Sequence, residues 1–138
     1  MANIAIMGFG TVGAGVAKVL EMNGASMAAR LEEPLHLKYI LDVRDFDQSP
    51  YADRMIKDFS IIENDPEVEV VVETIGGKGV ALDFTRRCLQ AGKHVVTSNK
   101  ELVATHGYEL LAIARARNVN YLFEASVGGG IPIIRALN

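Results

Sequence analysis

The sequence has little of what marks secreted, membrane-spanning or nucleic-acid-binding proteins. It contains one cysteine, Cys88, and no tryptophan in 138 residues, so no internal disulfide can form and we expect a reducing, cytoplasmic compartment. No apolar run is long enough to span a bilayer, and the start lacks the basic segment of a signal peptide. The 14 basic and 17 acidic residues form no long blocks, and we therefore expect no nucleic-acid or membrane partner.

Apolar residues are arranged in two alternating patterns. Hydrophobic residues make up 49% of the sequence and charged residues 22%, a balance typical of a globular domain. Short apolar runs alternate with segments of helical periodicity. The expected strands are 3–7, 37–43, 68–74, 94–97 and 119–123, with 59–62 as a short edge strand. The expected helices are a segment starting at Thr11, then 25–32, 80–90 and 102–117, the last as one helix or as two that meet at His106-Gly107.

This alternation predicts the fold class. Strands separated by helices at this spacing form a parallel sheet, because each crossover returns the chain to the same end of the sheet. Right-handed crossovers then give an α/β, doubly wound parallel sheet that binds its ligand at the carboxyl ends of the strands. We expect residues 1–138 to form one such domain.

A glycine-rich turn stands where such a fold binds phosphates. Residues 8–13 read Gly-Phe-Gly-Thr-Val-Gly directly after the first strand and open a helix, a context that makes the pattern fairly specific for dinucleotides. Gly8 allows the tight turn, Gly10 leaves room for the pyrophosphate, and Gly13 lets the helix pack closely on the strand. Backbone N–H groups at the start of the helix then hold the phosphates. The pattern predicts a Rossmann-type dinucleotide-binding domain, and the alternative is a glycine-rich turn without a ligand.

Two charged residues at the end of the second expected strand are candidates to contact the adenosine ribose. Asp42 and Arg44 are two apart and would share a strand face. An acid there binds the 2′-hydroxyl of NAD, whereas an arginine accommodates the 2′-phosphate of NADP. Lys57 could add positive charge at an unknown distance. The alternative is that both residues are solvated charges, and the sequence leaves the cofactor as NADP or NAD.

A lysine follows the strand at 94–97 in a run of small and polar residues. Residues 95–101 read Val-Val-Thr-Ser-Asn-Lys-Glu, which places the Lys100 ammonium at the mouth of the expected crevice. In the alternative interpretation Ser98 or Asn99 caps a helix and Lys100 is a solvated residue of its first turn. A cation at a helix N-terminus is disfavoured by about 0.3–1 kcal/mol, and this local conflict favours a functional lysine.

Three consecutive glycines follow the last expected strand. Residues 124–132 read Glu-Ala-Ser-Val-Gly-Gly-Gly-Ile-Pro, and such a run carries an entropic penalty that a plain connector does not need. It suits a place where backbone carbonyls face a ligand or ion, with Glu124 as an anionic oxygen donor. Composition alone slightly favours the other interpretation, a hinge into a second domain.

Four segments together resemble homoserine dehydrogenase. They are Gly-Phe-Gly-Thr-Val-Gly at 8–13, Val-Val-Glu-Thr-Ile-Gly-Gly at 71–77, Val-Val-Thr-Ser-Asn-Lys at 95–100 and Phe-Glu-Ala-Ser-Val-Gly-Gly-Gly-Ile-Pro-Ile-Ile at 123–134. They occur in the family's order over nearly the whole chain, and the last two are the most specific. The resemblance implies NAD(P)-dependent interconversion of L-homoserine and L-aspartate 4-semialdehyde, on the route to threonine and methionine.

The resemblance also implies roles for individual residues. Arg44 would meet the 2′-phosphate, and Lys100 would be the catalytic lysine near nicotinamide and substrate. Through the resemblance the glycine run becomes a sodium site instead of a hinge, formed by Glu124, Val127, Gly129 and Ile131. The other expected cofactor-binding residues are Gly8, Phe9, Gly10, Thr11, Val12, Gly13, Asp42, Ile75, Gly76, Ser98 and Asn99.

The sequence ends at Asn138 inside an apolar periodic segment, where we expect a helix to begin. By the resemblance, a C-terminal domain that binds the substrate and forms a homodimer would follow Asn138. Two other interpretations stay open, a stand-alone NAD(P)-sensing regulatory module and a related aspartate or semialdehyde dehydrogenase. A reading frame that continues past Asn138 would favour the enzyme, whereas the related dehydrogenases should have a different segment in place of 124–134.

Overall fold

The strands form one parallel sheet in the order expected for a doubly wound domain. The computed structural model describes residues 2–22 and 35–123. The strands are β1 (Ala2–Met7), β2 (Leu35–Leu41), β3 (Met55–Ile56), β4 (Val68–Glu73), β5 (His94–Thr97) and β6 (Tyr121–Phe123). Their order is β3-β2-β1-β4-β5-β6, and every neighbouring pair is parallel. The α/β, doubly wound, Rossmann-type sheet expected from the sequence is confirmed.

The helices cover both faces of the sheet. They are α1 (Thr11–Met22), α2 (Ser60–Glu63), α3 (Gly79–Gln90) and α4 (Lys100–Ala116), with a 3-10 turn at Ala52–Arg54. Val16 and Ala17 of α1 pack with Ile6 and Val72 on one face. The other described helices pack on the opposite face, where their apolar residues meet side chains such as Val71.

The two inner strands are apolar because both of their faces are covered. Ile4, Ile6, Val70 and Val72 face α1, whereas the residues between them face α3 and α4. In β1 the last four residues are all buried. The sheet therefore lies between two apolar layers, one on each face.

Helix α4 is continuous where the sequence also allowed a break. It runs from Lys100 to Ala116 through His106 and Gly107 without interruption. Its buried residues Leu102, Leu110 and Ala114 lie on one stripe that passes Gly107, and packing of this stripe on the sheet outweighs the weak helix propensity of a single glycine.

Other local expectations were wrong or lie outside the described residues. The edge strand is Met55–Ile56, and the segment 59–62 is instead the start of α2, in which Phe59 and Ile62 pack under α3. Strand β2 ends at Leu41, two residues earlier than expected. Val12, in the first turn of α1, is exposed and does not join the apolar core. The expected helix at 25–32 and the C-terminal helix lie outside the described residues.

Candidate functional site

Four loops meet at the carboxyl edge of the sheet. They follow β1, β2, β4 and β5, and backbone hydrogen bonds join neighbouring loops and strands. Gly8 N–H donates to the Leu41 carbonyl at 2.8 Å, and Thr74 N–H donates to the Met7 carbonyl at 2.9 Å. The glycine-rich turn therefore lies at the same edge as Asp42 with Arg44, the Ile75-Gly76 segment and Lys100.

The first and third glycines of the turn have the structural roles expected of them. Gly8 has φ of +98°, a left-handed conformation, and a Cβ on it would meet the Thr74 carbonyl carbon and oxygen at 3.0 Å. A Cβ on Gly13 would lie 1.9 Å from the Gly8 carbonyl oxygen. Only glycine permits this close approach of helix α1 to the turn, so the tight turn and the close packing are confirmed.

The start of α1 presents backbone donors beside open space. Ala14 N–H donates to the Gly10 carbonyl at 2.9 Å, so the N–H groups of Thr11, Val12 and Gly13 precede the helical ladder and have no intrahelical acceptor. A Cβ on Gly10 would meet no heavy atom within 4 Å. These donors, which no acceptor within the helix satisfies, and the positive end of the helix dipole fit a pyrophosphate group.

Phe9 contributes to the core more than to the surface of the turn. The residue is 9% exposed, and its ring packs edge-on against Phe46 and Tyr51, with ring centroids at 5.0 Å and 5.8 Å. Its N–H donates to Asp42 Oδ2 at 2.8 Å. A contact between Phe9 and a cofactor stays a prediction.

Asp42 and Arg44 bind each other instead of standing side by side on a strand. Both follow β2, and the Arg44 guanidinium donates through Nε to Asp42 Oδ1 at 3.1 Å and through Nη2 to Oδ2 at 2.9 Å. The Arg44 N–H also donates to Oδ1 at 2.9 Å. The guanidinium therefore holds the pKa of the Asp42 carboxyl well below its usual range, against the opposing effect of burial. Arg44 also lies over the Phe46 ring, 5.1 Å from its centroid.

Lys57 lies near this pair. Asp42 N–H donates to the Ile56 carbonyl at 3.1 Å, so the residue after β3 is at the same edge of the sheet. The Lys57 ammonium pairs with Asp45, which belongs to the same loop as Arg44. This part of the edge therefore carries two cations, each already held by an aspartate.

Several exposed apolar residues belong to the same edge. Val43, Ile75 and Phe123 are exposed and lie just after a strand or at the end of one, and Val12 is exposed in the first turn of α1. Apolar side chains around a few oriented polar groups are typical of small-molecule sites.

Sequence analysis missed Glu73, the last residue of β4. Its side chain is fully buried, and Oε2 accepts hydrogen bonds from the N–H groups of Ile75 at 2.8 Å and Gly76 at 3.2 Å. Oε1 accepts one from the Thr97 hydroxyl at 2.6 Å. The signal was an acid that directly follows three valines of a buried strand, where a charge requires donors nearby.

The loop after β5 is held by Asn99, which is the N-cap of α4. Its Oδ1 accepts from Leu102 N–H at 3.0 Å, and its Nδ2 donates to the Gly77 carbonyl at 2.6 Å. Ser98 N–H donates weakly to the Glu73 carbonyl at 3.4 Å. Lys100 is the first residue of α4 and is exposed. The capping part of the alternative interpretation is thus correct, and the role of Lys100 stays a prediction.

A protein-family sequence model described as "Homoserine dehydrogenase, NAD binding domain" matches residues 8–124 of the chain. The chain belongs to this family. The homoserine dehydrogenases of Neisseria gonorrhoeae and Pseudomonas aeruginosa are 39% and 40% identical to it over 98% and 97% of the chain, which spans 32% and 31% of their lengths. The chain thus spans about a third of the curated relatives that it matches.

Solved homoserine dehydrogenases share the fold. The S. aureus enzyme at pH 8.5 matches with a TM-score of 0.83 and 36% identity, over 91% of this chain and 32% of its own. The Thiobacillus denitrificans enzyme matches with a TM-score of 0.83 and 37% identity, over 98% and 32%. These values support the family assignment at the level of backbone as well as sequence.

The expected sodium ligands Glu124, Val127, Gly129 and Ile131 lie outside the described residues. Within 2–22 and 35–123, no group of three or more His, Cys, Asp or Glu residues could hold a metal ion. In the same part of the chain, no helix is long and apolar enough to cross a membrane.

Proposed function

We propose that this chain is the cofactor-binding part of an NAD(P)-dependent homoserine dehydrogenase that interconverts L-homoserine and L-aspartate 4-semialdehyde, a step toward threonine and methionine. The observation that carries the proposal is the turn at residues 8–13. It combines unpaired N–H donors, open space at Gly10 and a helix start in a chain of this family. The bound dinucleotide would supply the carbon that accepts or returns a hydride.

The cofactor is proposed to be NADP in preference to NAD. A carboxylate has about four acceptor sites, and those of Asp42 already receive Phe9 N–H and three donors of Arg44. Asp42 could accept a 2′-hydroxyl only if Arg44 withdrew. Of the five guanidinium N–H groups of Arg44, only two are used on Asp42, so the others are available to a 2′-phosphate while the ion pair persists.

Lys100 is proposed to act on the reacting oxygen of the substrate. Oxidation of an alcohol requires its hydroxyl proton to leave, and the ε-amino group of a lysine at the crevice can hold that oxygen or relay that proton. The exposed position of Lys100 at the start of α4 supports this role. No hydrogen bond or ion pair occupies its ammonium within the described ranges 2–22 and 35–123.

Three further proposals rest on the resemblance. Glu124, Val127, Gly129 and Ile131 would bind a sodium ion, the latter three mostly through their carbonyls. The enzyme would form a homodimer through a C-terminal domain. It would work in the cytoplasm, which agrees with Cys88 being a buried free thiol.

The test combines binding and turnover. The 138-residue chain should bind NADPH in a fluorescence titration without oxidising homoserine, whereas a polypeptide that joins it to a homoserine dehydrogenase substrate domain should reduce NADP⁺ with homoserine. Turnover by the chain alone, or no NADPH binding, would contradict the proposal. Binding without turnover in the joined polypeptide would favour the alternative, a dinucleotide-sensing module.

A further inference from the structure

A continuous hydrogen-bond network joins the loops after β4 and β5 beneath the edge of the sheet. Its centre is Glu73, whose two oxygens receive the N–H groups of Ile75 and Gly76 and the Thr97 hydroxyl. Thr97 Oγ1 accepts in turn from Asn99 N–H at 2.9 Å. Asn99 Nδ2 closes the network by donating to the Gly77 carbonyl.

The hydrogen-bond pattern of this network requires a carboxylate at position 73 and a hydroxyl at position 97. Both oxygens of Glu73 face donors only, a pattern that a carboxylate satisfies and an amide does not. A glutamine could accept from Ile75 and Gly76 N–H only by turning its NH₂ toward Thr97, whose hydroxyl hydrogen would then lose its acceptor. Thr97 must both donate to Glu73 and accept from Asn99, which only a hydroxyl can do.

The network lies under the side of the crevice away from Asp42 and Arg44. In a doubly wound sheet the two halves bind the two nucleotides, and the acid or arginine after β2 marks the adenosine half. The loops after β4 and β5 therefore flank the nicotinamide half. Glu73 and Thr97 are fully buried and Asn99 is 6% exposed, so these side chains act through the loops that they hold.

We propose that Glu73, Thr97 and Asn99 are positioning residues that fix the Ile75–Gly77 loop against the Ser98–Lys100 loop and so set the affinity for the nicotinamide half of the cofactor. This inference rests on the proposed function. Loops that must be ordered when a ligand binds reduce its affinity. A nicotinamide ring therefore binds more tightly when the Ile75–Gly77 and Ser98–Lys100 loops are already held at the correct separation.

The test compares two probes, NADPH and 2′-phospho-ADP-ribose, which shares its adenosine half and pyrophosphate but lacks the nicotinamide ring. Thr97→Val keeps the shape and removes the hydroxyl. Its affinity for NADPH, measured by calorimetry, should fall about tenfold, as for loss of a hydrogen bond to a charged group. Its affinity for 2′-phospho-ADP-ribose should be unchanged, and Thr97→Ser, which restores the hydroxyl, should restore NADPH affinity.

Thr85→Val is the matched control. Thr85 is also fully buried, but its hydroxyl has no hydrogen-bond partner in the described part of the chain, so both affinities should stay at the wild-type values. Asn99→Ser gives a second variant that keeps the helix cap and loses only the bond to Gly77, and it should reproduce the selective loss.

The possible outcomes separate the two proposals. Equal losses of both probes in Thr97→Val and Asn99→Ser, or unchanged NADPH affinity in both, would overturn the positioning role while the dinucleotide site stands. Failure of the wild-type chain to bind either probe would instead overturn the proposed function. Should Thr97→Val not fold, Asn99→Ser decides alone.

Discussion

At the scale of residues, the proposed preference for NADP depends on the pairing of Asp42 with Arg44. The guanidinium occupies the carboxylate that NAD would need and keeps N–H groups for a 2′-phosphate. Arg44→Ala should weaken NADPH binding by roughly 1.5–3 kcal/mol, as for a hydrogen bond to a charged group, and NADH binding much less. Calorimetric titration of both cofactors measures the difference.

Arg86→Ala is the control for Arg44→Ala. Arg86 makes a comparable ion pair with Glu109 between α3 and α4, at 2.6 Å, away from the edge of the sheet. Both affinities should be unaffected by its loss. Equal losses for NADPH and NADH in Arg44→Ala would show that Arg44 supports the loop and does not read the phosphate.

Lys100 allows a prediction about catalysis, made for a polypeptide that also contains the substrate domain. Lys100→Ala should lower kcat by at least about 100-fold, the smaller end of general acid–base contributions, with little change in cofactor affinity. Lys100→Arg should not restore kcat, because a guanidinium does not release its proton near neutral pH. Steady-state kinetics with homoserine decides, and a near-normal kcat in Lys100→Ala would leave Lys100 as a surface residue.

Sequence could identify the exposed candidates of the site and the helix cap Asn99, but not the buried Glu73 that holds their loops. Lys100 and Arg44 stand out by charge at strand ends. Glu73 was overlooked because its donors come from a loop and from a neighbouring strand, and this pairing depends on the register Glu73↔Thr97. The mutual ion pair of Asp42 and Arg44 was missed because strand β2 ends at Leu41, which frees both side chains to turn toward each other.

At the scale of elements, the approach of α1 to the turn can be tested with two glycines of the same helix. Gly13→Ala would place a Cβ 1.9 Å from the Gly8 carbonyl oxygen, which is backbone and can move only with the strand. It should lower the free energy of unfolding by about 1–3 kcal/mol, the usual range for overpacking. Gly15 meets nothing within 4 Å, so Gly15→Ala should stabilise the chain by up to about 1 kcal/mol.

Urea denaturation of the two variants measures this contrast. If Gly13→Ala were as stable as Gly15→Ala, the close packing of α1 on the glycine turn would not be a constraint on the sequence.

An ion pair between β2 and the turn before β4 predicts a pH dependence. Lys38 Nζ lies 2.6 Å from Asp65 Oδ2, and together with the Tyr39 hydroxyl it lowers the pKa of the Asp65 carboxyl to about 2, against the opposing effect of burial. Because this pKa is lower in the folded than in the unfolded chain, the stabilisation is complete above about pH 4 and is lost as pH falls toward about 2. Asp65→Asn should therefore be less stable than wild type at neutral pH, and the difference should shrink on acidification.

Glu67→Gln is the comparison for Asp65→Asn. Lys38 also pairs with Glu67 at 3.2 Å, but the Glu67 side chain is 72% exposed, and exposed pairs contribute little. The midpoint of urea denaturation of Glu67→Gln should match that of the wild type at neutral pH. A deficit in Asp65→Asn that persisted unchanged at low pH would mean that shape, not charge, is what Asp65 contributes.

The type of an element was predicted correctly where the apolar pattern was long, and the prediction was wrong where the pattern was short. The periodic residues of α1 and α3 and the apolar runs of β1 and β4 allowed one interpretation each, whereas α4 was expected as one helix or as two. The four-residue segment 59–62 fitted strand or helix equally well. It became a helix because Phe59 and Ile62 pack under α3, with the Phe59 ring stacked on Phe84 at 4.1 Å.

At the scale of the whole molecule, the sheet order places the candidate residues that the structure describes at one edge. The crossovers put the turn after β1 between the loops after β2 and β4, at the point where the strand order reverses. Ligands of open α/β sheets bind at this point. The arrangement brings residues as far apart in sequence as Gly10, Arg44 and Lys100 to the same edge, as the proposed dinucleotide site requires.

The most direct test of this account is a fluorescence titration of NADPH with the purified chain, Gly10→Val and Gly15→Val. A side chain on Gly10 projects into the open space beside the helix start, whereas one on Gly15 projects into open space further along α1. Wild type and Gly15→Val should bind NADPH equally well, and Gly10→Val should bind none while keeping its circular dichroism spectrum. Undiminished NADPH binding by Gly10→Val would show that the glycine turn is not the dinucleotide site.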